Sequence, residues 1–216
     1  VTDQSLIFDE ELIRRYNQSG PRYTSYPTAV QFNDRFTVDD YLQQVEISNR
    51  TSNPLSLYFH IPFCDTVCFY CACNKIATKD RSKAGPYLEH MFREIEMQAE
   101  LFKDDKQVTQ LHWGGGTPTF ISHAEMAALM AKTRQHFNLA VDSEAEFSIE
   151  IDPREVGADT ISFLRELGFN RMSLGVQDFE LDVQKAVNRV QSEAQTRHAI
   201  DAARAAGFHS ISFDLI

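Results

Sequence analysis

The stretch "LSLYFHIPFCDTVCFYCACN", residues 55 to 74, decides how this chain is read. Residues 55–61 are rich in strand formers. They run into a loop that carries all four cysteines of the chain, Cys64, Cys68, Cys71 and Cys73. The segments that follow repeat this strand-then-loop theme. "PYLEHMFREIEMQAELF" (86–102) sets Leu88, Met91, Phe92, Ile95 and Phe102 on one helical face. "TQLHWGGG" (109–116) is a short strand running into glycines. "SHAE" (122–125) has the Ser-x-x-Glu form of a capping box, with Met126, Leu129, Met130 and Phe137 at helical spacing after it. "EFSIEID" (146–152) reads as a strand, 159–167 as a helix ended by Gly168, and "RMSLGVQ" (171–177) as a strand. A short helical piece at 180–187, a helix from "SEAQ" (192–195) to Gly207 and a strand in "HSISFDLI" complete the pattern.

The order β-α-β-α-β-α-β-α-β predicts an α/β fold with at least five parallel strands joined by right-handed helical crossovers. In such folds function gathers at the C-terminal ends of strands. The cysteine loop, the glycines of "WGGG", Glu150 with Asp152, and Gln177 all fall there. Upstream, residues 1–50 read as an arm separate from a β/α unit over 51–216. "SGPRYTSYPT" (19–28) has the composition of an extended segment, and "VDDYLQQVE" (38–46) that of a short helix.

Composition narrows the function classes. The chain has 216 residues, 43% of them hydrophobic, with sixteen Phe to fill a core. No stretch approaches eighteen apolar residues, so no membrane span is expected. The first residues lack the basic-then-apolar pattern of a signal peptide. A cytoplasmic, reducing setting follows, in which clustered cysteines bind metal or do redox chemistry rather than pair. The formal charge of −10 argues against nucleic acid as a partner. The chain starts at Val1 and stops in what reads as mid-strand, so it is expected to be a piece of a longer protein.

The cysteine spacing is C-x3-C-x2-C, then one residue, then a fourth Cys. Structural zinc uses two ligand pairs separated by a longer loop, and four thiols in one short turn surround a tetrahedral ion poorly. Iron–sulfur clusters take short-spaced thiolates. Cys64, Cys68 and Cys71 can converge on one cubane, which leaves an iron open if Cys73 points away. Phe63, Phe69 and Tyr70 then limit solvent access. A zinc module and inert core thiols are the competing readings.

The spacing after a first strand resembles that of the radical S-adenosylmethionine enzymes. The chain is similar, more narrowly, to the oxygen-independent coproporphyrinogen III oxidases. The resemblance rests on "YNQSGPRYTSYPT" (16–28), "SLYFHIPFC" (56–64), "CFYCACNK" (68–75), "LHWGGGTPT" (111–119), "SIEIDPRE" (148–155), "FNRMSLGVQDF" (169–179), "VNR" (187–189) and "DLI" (214–216). It implies an incomplete (β/α) TIM-like barrel and a [4Fe–4S] cluster held by Cys64, Cys68 and Cys71, with Cys73 not a ligand. It implies S-adenosylmethionine, two molecules per site, with Tyr58, Tyr70, Gly115, Gly116, Thr117 and Glu150 around the first. Gln177, Arg189 and Asp214 match the second, with Gly116 and Thr117 nearby. The implied reaction is radical decarboxylation of two propionates of coproporphyrinogen III to vinyl groups, giving protoporphyrinogen IX. An electron donor such as flavodoxin or ferredoxin and a monomeric state go with it. A haem chaperone of the same superfamily is the rival; its relatives lack the arm and a cysteine at the position of Cys73.

Plainer readings stand beside these. A lone glycine run is more often a turn, and Glu150 and Asp152 are ordinary strand-end carboxylates on their own. His60 reads first as a buried, hydrogen-bonded core histidine and second as a catalytic group. Trp113 is expected to pack beneath the glycine loop. The acidic chain sits awkwardly with a tetracarboxylate substrate, and Arg22, helped by Arg14 or Arg15, is expected to supply local positive charge.

Overall fold

In the computed structural model, residues 8–18, 28–103 and 106–216 are described. The chain divides into two compact units, Val1–Tyr41 and Leu42–Ile216. In the first, α1 (Glu10–Tyr16) is capped by Asp9, whose carboxylate accepts from Leu12 N at 2.9 Å. Helix α2 (Val38–Asn49) crosses the division. The "SGPRYTSYPT" segment and Arg22 fall on residues 19–27, outside the described residues.

The second unit is built on a parallel sheet. Strand β1 (Leu55–Ile61) is followed by the two-residue strands β2 (Phe63–Cys64) and β3 (Ile76–Ala77), then α3 (Ala84–Ala99). Next come β4 (Gln107–Gly115), α4 (His123–His136), β5 (Asn138–Leu139) and β6 (Glu146–Ile151). Helix α5 (Ala158–Glu166), β7 (Arg171–Gln177), α6 (Leu181–Ala186), α7 (Glu193–Ala206) and β8 (Ser210–Leu215) complete it. The strand order is β1-β4-β6-β7-β8, with every neighbour parallel and β5 paired to the start of β4. Consecutive long strands lie side by side and parallel, joined by helical crossovers. Among the described residues the sheet stays open, an incomplete TIM-like arrangement.

Strand periodicity sorts the side chains onto two faces. Phe59, Ile61, Leu111, Trp113, Phe147, Ile149, Ile151, Met172 and Leu174 are buried. They pack with Leu88, Met91 and Ile95 of α3, Met126, Leu129 and Met130 of α4, Ile161 and Leu164 of α5, and Ala199 and Ala203 of α7. The alternate positions are polar: Tyr58 and His60, His112, Ser148 and Glu150, Ser173, and Asp214. The register sets Tyr58 beside His112 and His112 beside Ser148.

Both expected capping boxes form, Ser122 with Glu125 on α4 and Ser192 with Gln195 on α7. Helix α3 begins at Ala84, two residues before the sequence places it, because a proline in the first turn removes an N–H that has no helical acceptor. Phe102 lies past its end and packs partly buried against the core. Trp113 is fully buried, edge-on to Phe59 and Phe169, as expected of a core side chain. No helix among the described residues is long and apolar enough to cross a membrane.

Candidate functional site

The site grows from the turn after β1. Phe63 is buried between Phe120, 5.0 Å away ring to ring, and Tyr87, and it anchors the start of the cysteine loop in the core. The paired strands β2 and β3 close the base of the loop, with Ile76 N donating to Pro62 O (2.7 Å) and Thr78 N to Cys64 O (2.8 Å). Lys75 Nζ donates to Cys71 O at 2.8 Å, and His60 Nε2 bonds Asn74 O at 2.8 Å. The far side of the loop is tied across the sequence to residues 187–189. Phe69 N donates to Val187 O (3.0 Å) and Asn188 Nδ2 to Val67 O (2.7 Å). Asn188 holds a positive φ of 55° to make that contact, a local strain of the kind found where a loop must be aimed.

Above the C-terminal ends of β1, β4, β6, β7 and β8 lies an open cavity of ≈ 270 Å³. Cys64, Cys68, Cys71 and Cys73 line it, with Tyr70, Gly115, Gly116, Thr117, Glu150, Gln177, Arg189 and Asp214. All four thiols are free. Cys68 is buried, Cys64 and Cys71 half-buried, and Cys73 exposed. Gly116 has no room for a side chain: a Cβ there would sit 2.7 Å from the carbonyls of Pro62 and Phe63 and 2.8 Å from Cys64 Sγ. The backbone just past β4 therefore packs directly against the turn that carries Cys64.

Two polar groups flank the thiols. On one side, Glu150 accepts from Gly115 N at 3.0 Å and meets His112 Nε2 at 3.3 Å. His112 Nδ1 is 2.6 Å from Ser148 Oγ, so a tautomer with a proton on Nε2 donates to Glu150 and leaves Nδ1 to accept from the hydroxyl. The ring of Tyr58 stacks on His112 at 5.6 Å. On the other side lies a buried charge cluster. Asp152 is forked by Arg154 (Nη2 to Oδ2, 2.7 Å; Nε to Oδ1, 3.0 Å) and pairs with Arg189 Nη1 at 3.1 Å. Burial works against the Asp152 carboxylate, but the hydrogen bonds from Arg154 and the charge of Arg189 outweigh it and hold its pKa low. Burial pushes the Cys64 thiol up, partly offset by Thr117 Oγ1 donating to its sulfur at 3.7 Å. Tyr70 is pushed up to about 12, chiefly by burial, with Arg189 pulling the other way.

Of the twelve residues that the resemblance assigns to cofactor or cluster, eleven line this one cavity. Tyr58 does not. It lies 58% exposed, beside the cavity on the Glu150 side, through its stack on His112. His60 is corrected in one respect: it is half-buried rather than in the core. Both its ring nitrogens are engaged, Nδ1 with Tyr58 Oη at 3.1 Å and Nε2 with Asn74 O, and it supports the loop from outside the cavity. Phe69 is also corrected: it is 71% exposed and shields nothing, because its backbone rather than its ring is what docks on Val187. Arg14 pairs with Glu10 on α1. Sequence reasoning gave no role to Arg154, His112, Ser148 and Asn188. The period-two pattern of β4 and β6 puts His112, Ser148 and Glu150 on one face and is the signal that finds His112 and Ser148.

The donor set, soft thiols at short spacing around one cavity, fits an iron–sulfur group. Among the described residues no three Cys, His, Asp or Glu side chains converge on one ion-sized point. Three soft thiols nevertheless share one wall of the cavity, against a backbone stripped of its Cβ at Gly116.

Comparison with known proteins agrees with this geometry. The profile of the Radical SAM superfamily matches residues 58–216. An oxygen-independent coproporphyrinogen III oxidase from Pseudomonas aeruginosa is 53% identical over 212 residues, covering 98% of this chain and 46% of the relative. One of the same description from Mannheimia haemolytica is 47% identical over 148 residues, covering 68% of this chain and 98% of the relative. The solved structure of coproporphyrinogen III oxidase from Escherichia coli, described as a Radical SAM enzyme, superposes with a TM-score of 0.82 at 45% identity. It matches 98% of this chain and 46% of that one, so the chain spans about half the length of the longer relatives it resembles.

Proposed function

Because the chain belongs to the Radical SAM superfamily, we propose that it forms the radical-generating unit of an oxygen-independent coproporphyrinogen III oxidase. The proposed reaction removes carbon dioxide from two propionate side chains of coproporphyrinogen III and leaves vinyl groups, a step of porphyrin synthesis. The observation that carries this reading is the gathering of eleven expected residues from five strand ends around one cavity. We assign the radical unit to residues 51–216, with 1–50 a separate arm. An electron donor of the flavodoxin or ferredoxin type, a monomeric state, a cytoplasmic setting, and the absence of nucleic-acid and membrane partners belong to the same proposal.

Cys64, Cys68 and Cys71 would hold a [4Fe–4S] cluster, and Cys73, the exposed one of the four thiols, would stay outside it. When bound, such a cluster supplies the single electron that cleaves S-adenosylmethionine into a hydrogen-abstracting radical. The protein's own contribution is placement. Glu150 is already oriented by Gly115 N–H and His112, so its carboxylate is fixed for an amino or ribose donor at little entropic cost. Gly115 and Gly116 offer backbone without side chains in the way. Ser173 Oγ holds the Asp214 carboxylate at 3.1 Å, and Gln177 sits at a positive φ of 68° at the end of β7. These two, with Arg189, support a second S-adenosylmethionine beside the first. Tyr70 lines the cavity but is 39% exposed, so of the three aromatic residues expected to limit solvent access only Phe63 is buried.

The test is anaerobic reconstitution followed by electron paramagnetic resonance of the reduced protein, with and without S-adenosylmethionine. A [4Fe–4S] signal that changes on adding S-adenosylmethionine, and conversion of coproporphyrinogen III by the full-length protein, are expected. A chain that takes up no iron, or a spectrum indifferent to S-adenosylmethionine, overturns the reading.

A further inference from the structure

We propose that Arg189 sets the reduction potential of the cluster by acting on the sulfur of Cys68, and that Asp152 is the residue that holds Arg189 in place. The inference rests on the reading above, that Cys68 is a cluster ligand. Arg189 is 8% exposed and reaches the cysteine loop from 121 residues away in the sequence. Its Nη1 lies 3.5 Å from Cys68 Sγ and 3.1 Å from Asp152 Oδ2, while Nη2 donates to Gly175 O at 2.9 Å. Three contacts fix the guanidinium plane, so the N–H aimed at sulfur needs no further ordering. Asp152 is 7% exposed and is itself clamped by Arg154. Glu155 and Asp65 line the same cavity, so what Cys68 meets is one fixed, charged N–H donor rather than an unbalanced charge.

The electrostatic consequence has a definite sign. Reduction places one more electron on the cluster, and part of that charge resides on the ligand sulfurs. A fixed, charged N–H donor at Cys68 stabilises the reduced form more than the oxidised form, which raises the potential. Burial keeps water from screening the effect. Arg189 acts through Cys68 and is therefore a positioning residue, whatever else it contacts when S-adenosylmethionine is present.

The experiment is a potentiometric titration of the reconstituted full-length protein without S-adenosylmethionine. Dithionite supplies one electron per cluster, no bond is made or broken, and the reduced fraction is read by electron paramagnetic resonance. Arg189→Met is expected to lower the reduced-to-oxidised ratio at the native midpoint by about tenfold, about 59 mV for one electron. Arg189→Lys, which keeps charge without the fork, is expected to fall between. Gly175→Ala gives an independent route, because its Cβ would sit 2.7 Å from Arg189 Nη2 and push the guanidinium aside without changing any charge. Its midpoint should move in the same direction, and it decides the matter if Arg189→Met takes up no cluster. Variants that carry full iron and titrate at the native midpoint overturn the inference and leave the radical reading standing. A native chain that takes up no cluster overturns the reading and the inference with it.

Discussion

Replacing Gly116 with alanine tests how closely the β4 turn must approach the cysteine loop. The added methyl would lie 2.7 Å from Pro62 O, 2.7 Å from Phe63 O and 2.8 Å from Cys64 Sγ. Two of these three atoms are backbone and cannot rotate away, and the third is a proposed cluster ligand. Relief requires the 62–64 turn to move off β4. That displacement stretches Gly116 N to Ile61 O (2.8 Å) and Thr117 N to Phe63 O (2.8 Å), the bonds that join the two turns. Overpacking of this kind costs about 1–3 kcal/mol, and weakening two backbone bonds adds about 1 kcal/mol. A loss of about 2–4 kcal/mol in urea unfolding, read as a lower midpoint at unchanged slope, is therefore expected. Iron bound per chain after reconstitution should fall in parallel. If Gly116→Ala unfolds at the native midpoint and takes up native iron, the turn yields freely and the close-approach argument is wrong.

Asp152→Ala should cost about 3–5 kcal/mol, because it leaves Arg154 and Arg189 buried without their carboxylate; a loss below 1 kcal/mol in chemical denaturation would contradict the pairing. The folded pKa of Asp152 is depressed, so its contribution is full above the unfolded value of about 3.9 and is lost as pH falls through the folded value. The stability gap between native protein and Asp152→Asn should accordingly narrow below about pH 4, and a gap that stays constant under acid would refute the sign. Cys73→Ser should retain native iron content, whereas Cys64→Ser, Cys68→Ser or Cys71→Ser should each lose it; equal loss from all four would place Cys73 among the ligands. Asn188→Ala removes the bond to Val67 O and puts a β-carbon residue without a compensating contact at φ 55°. A cost of about 1–2 kcal/mol and slower cluster uptake are expected from it, and native behaviour in both assays would show that the loop needs no such tether.

The fold was legible because its signals are local. Helical spacing in 86–102, the Ser122–Glu125 and Ser192–Gln195 caps, and the strand-then-glycine runs each state their own element, and their alternation leaves few parallel topologies. The two-residue strands β2, β3 and β5 were not legible, since a pair of ladder residues leaves no periodicity. At the site, residues at strand ends could be named in advance, because topology brings those ends together. That Tyr58 lies beside the cavity and not on its wall could not be read in advance, because stacking on His112, a partner on the neighbouring strand, sets where its ring lies. The environment of Asp152 was hidden for a related reason. Arg154 stands two residues away, but the second charge on Asp152 comes from Arg189, beyond α5, β7 and α6. Only packing makes those three one group.

The tether between the cysteine loop and residues 187–189 also has a consequence for synthesis on the ribosome. Val67 and Cys68 precede their partners Asn188 and Arg189 by 121 residues. At about 5–20 residues per second, the thiols leave the exit tunnel about 6–24 s before the side chains that clamp their loop exist. During that interval the cysteines belong to a nascent chain whose parallel sheet has no closing partner for them. The loop is thus exposed to oxidants and stray metal ions, and iron–sulfur delivery to the clamped site has to wait until Asn188 and Arg189 have emerged.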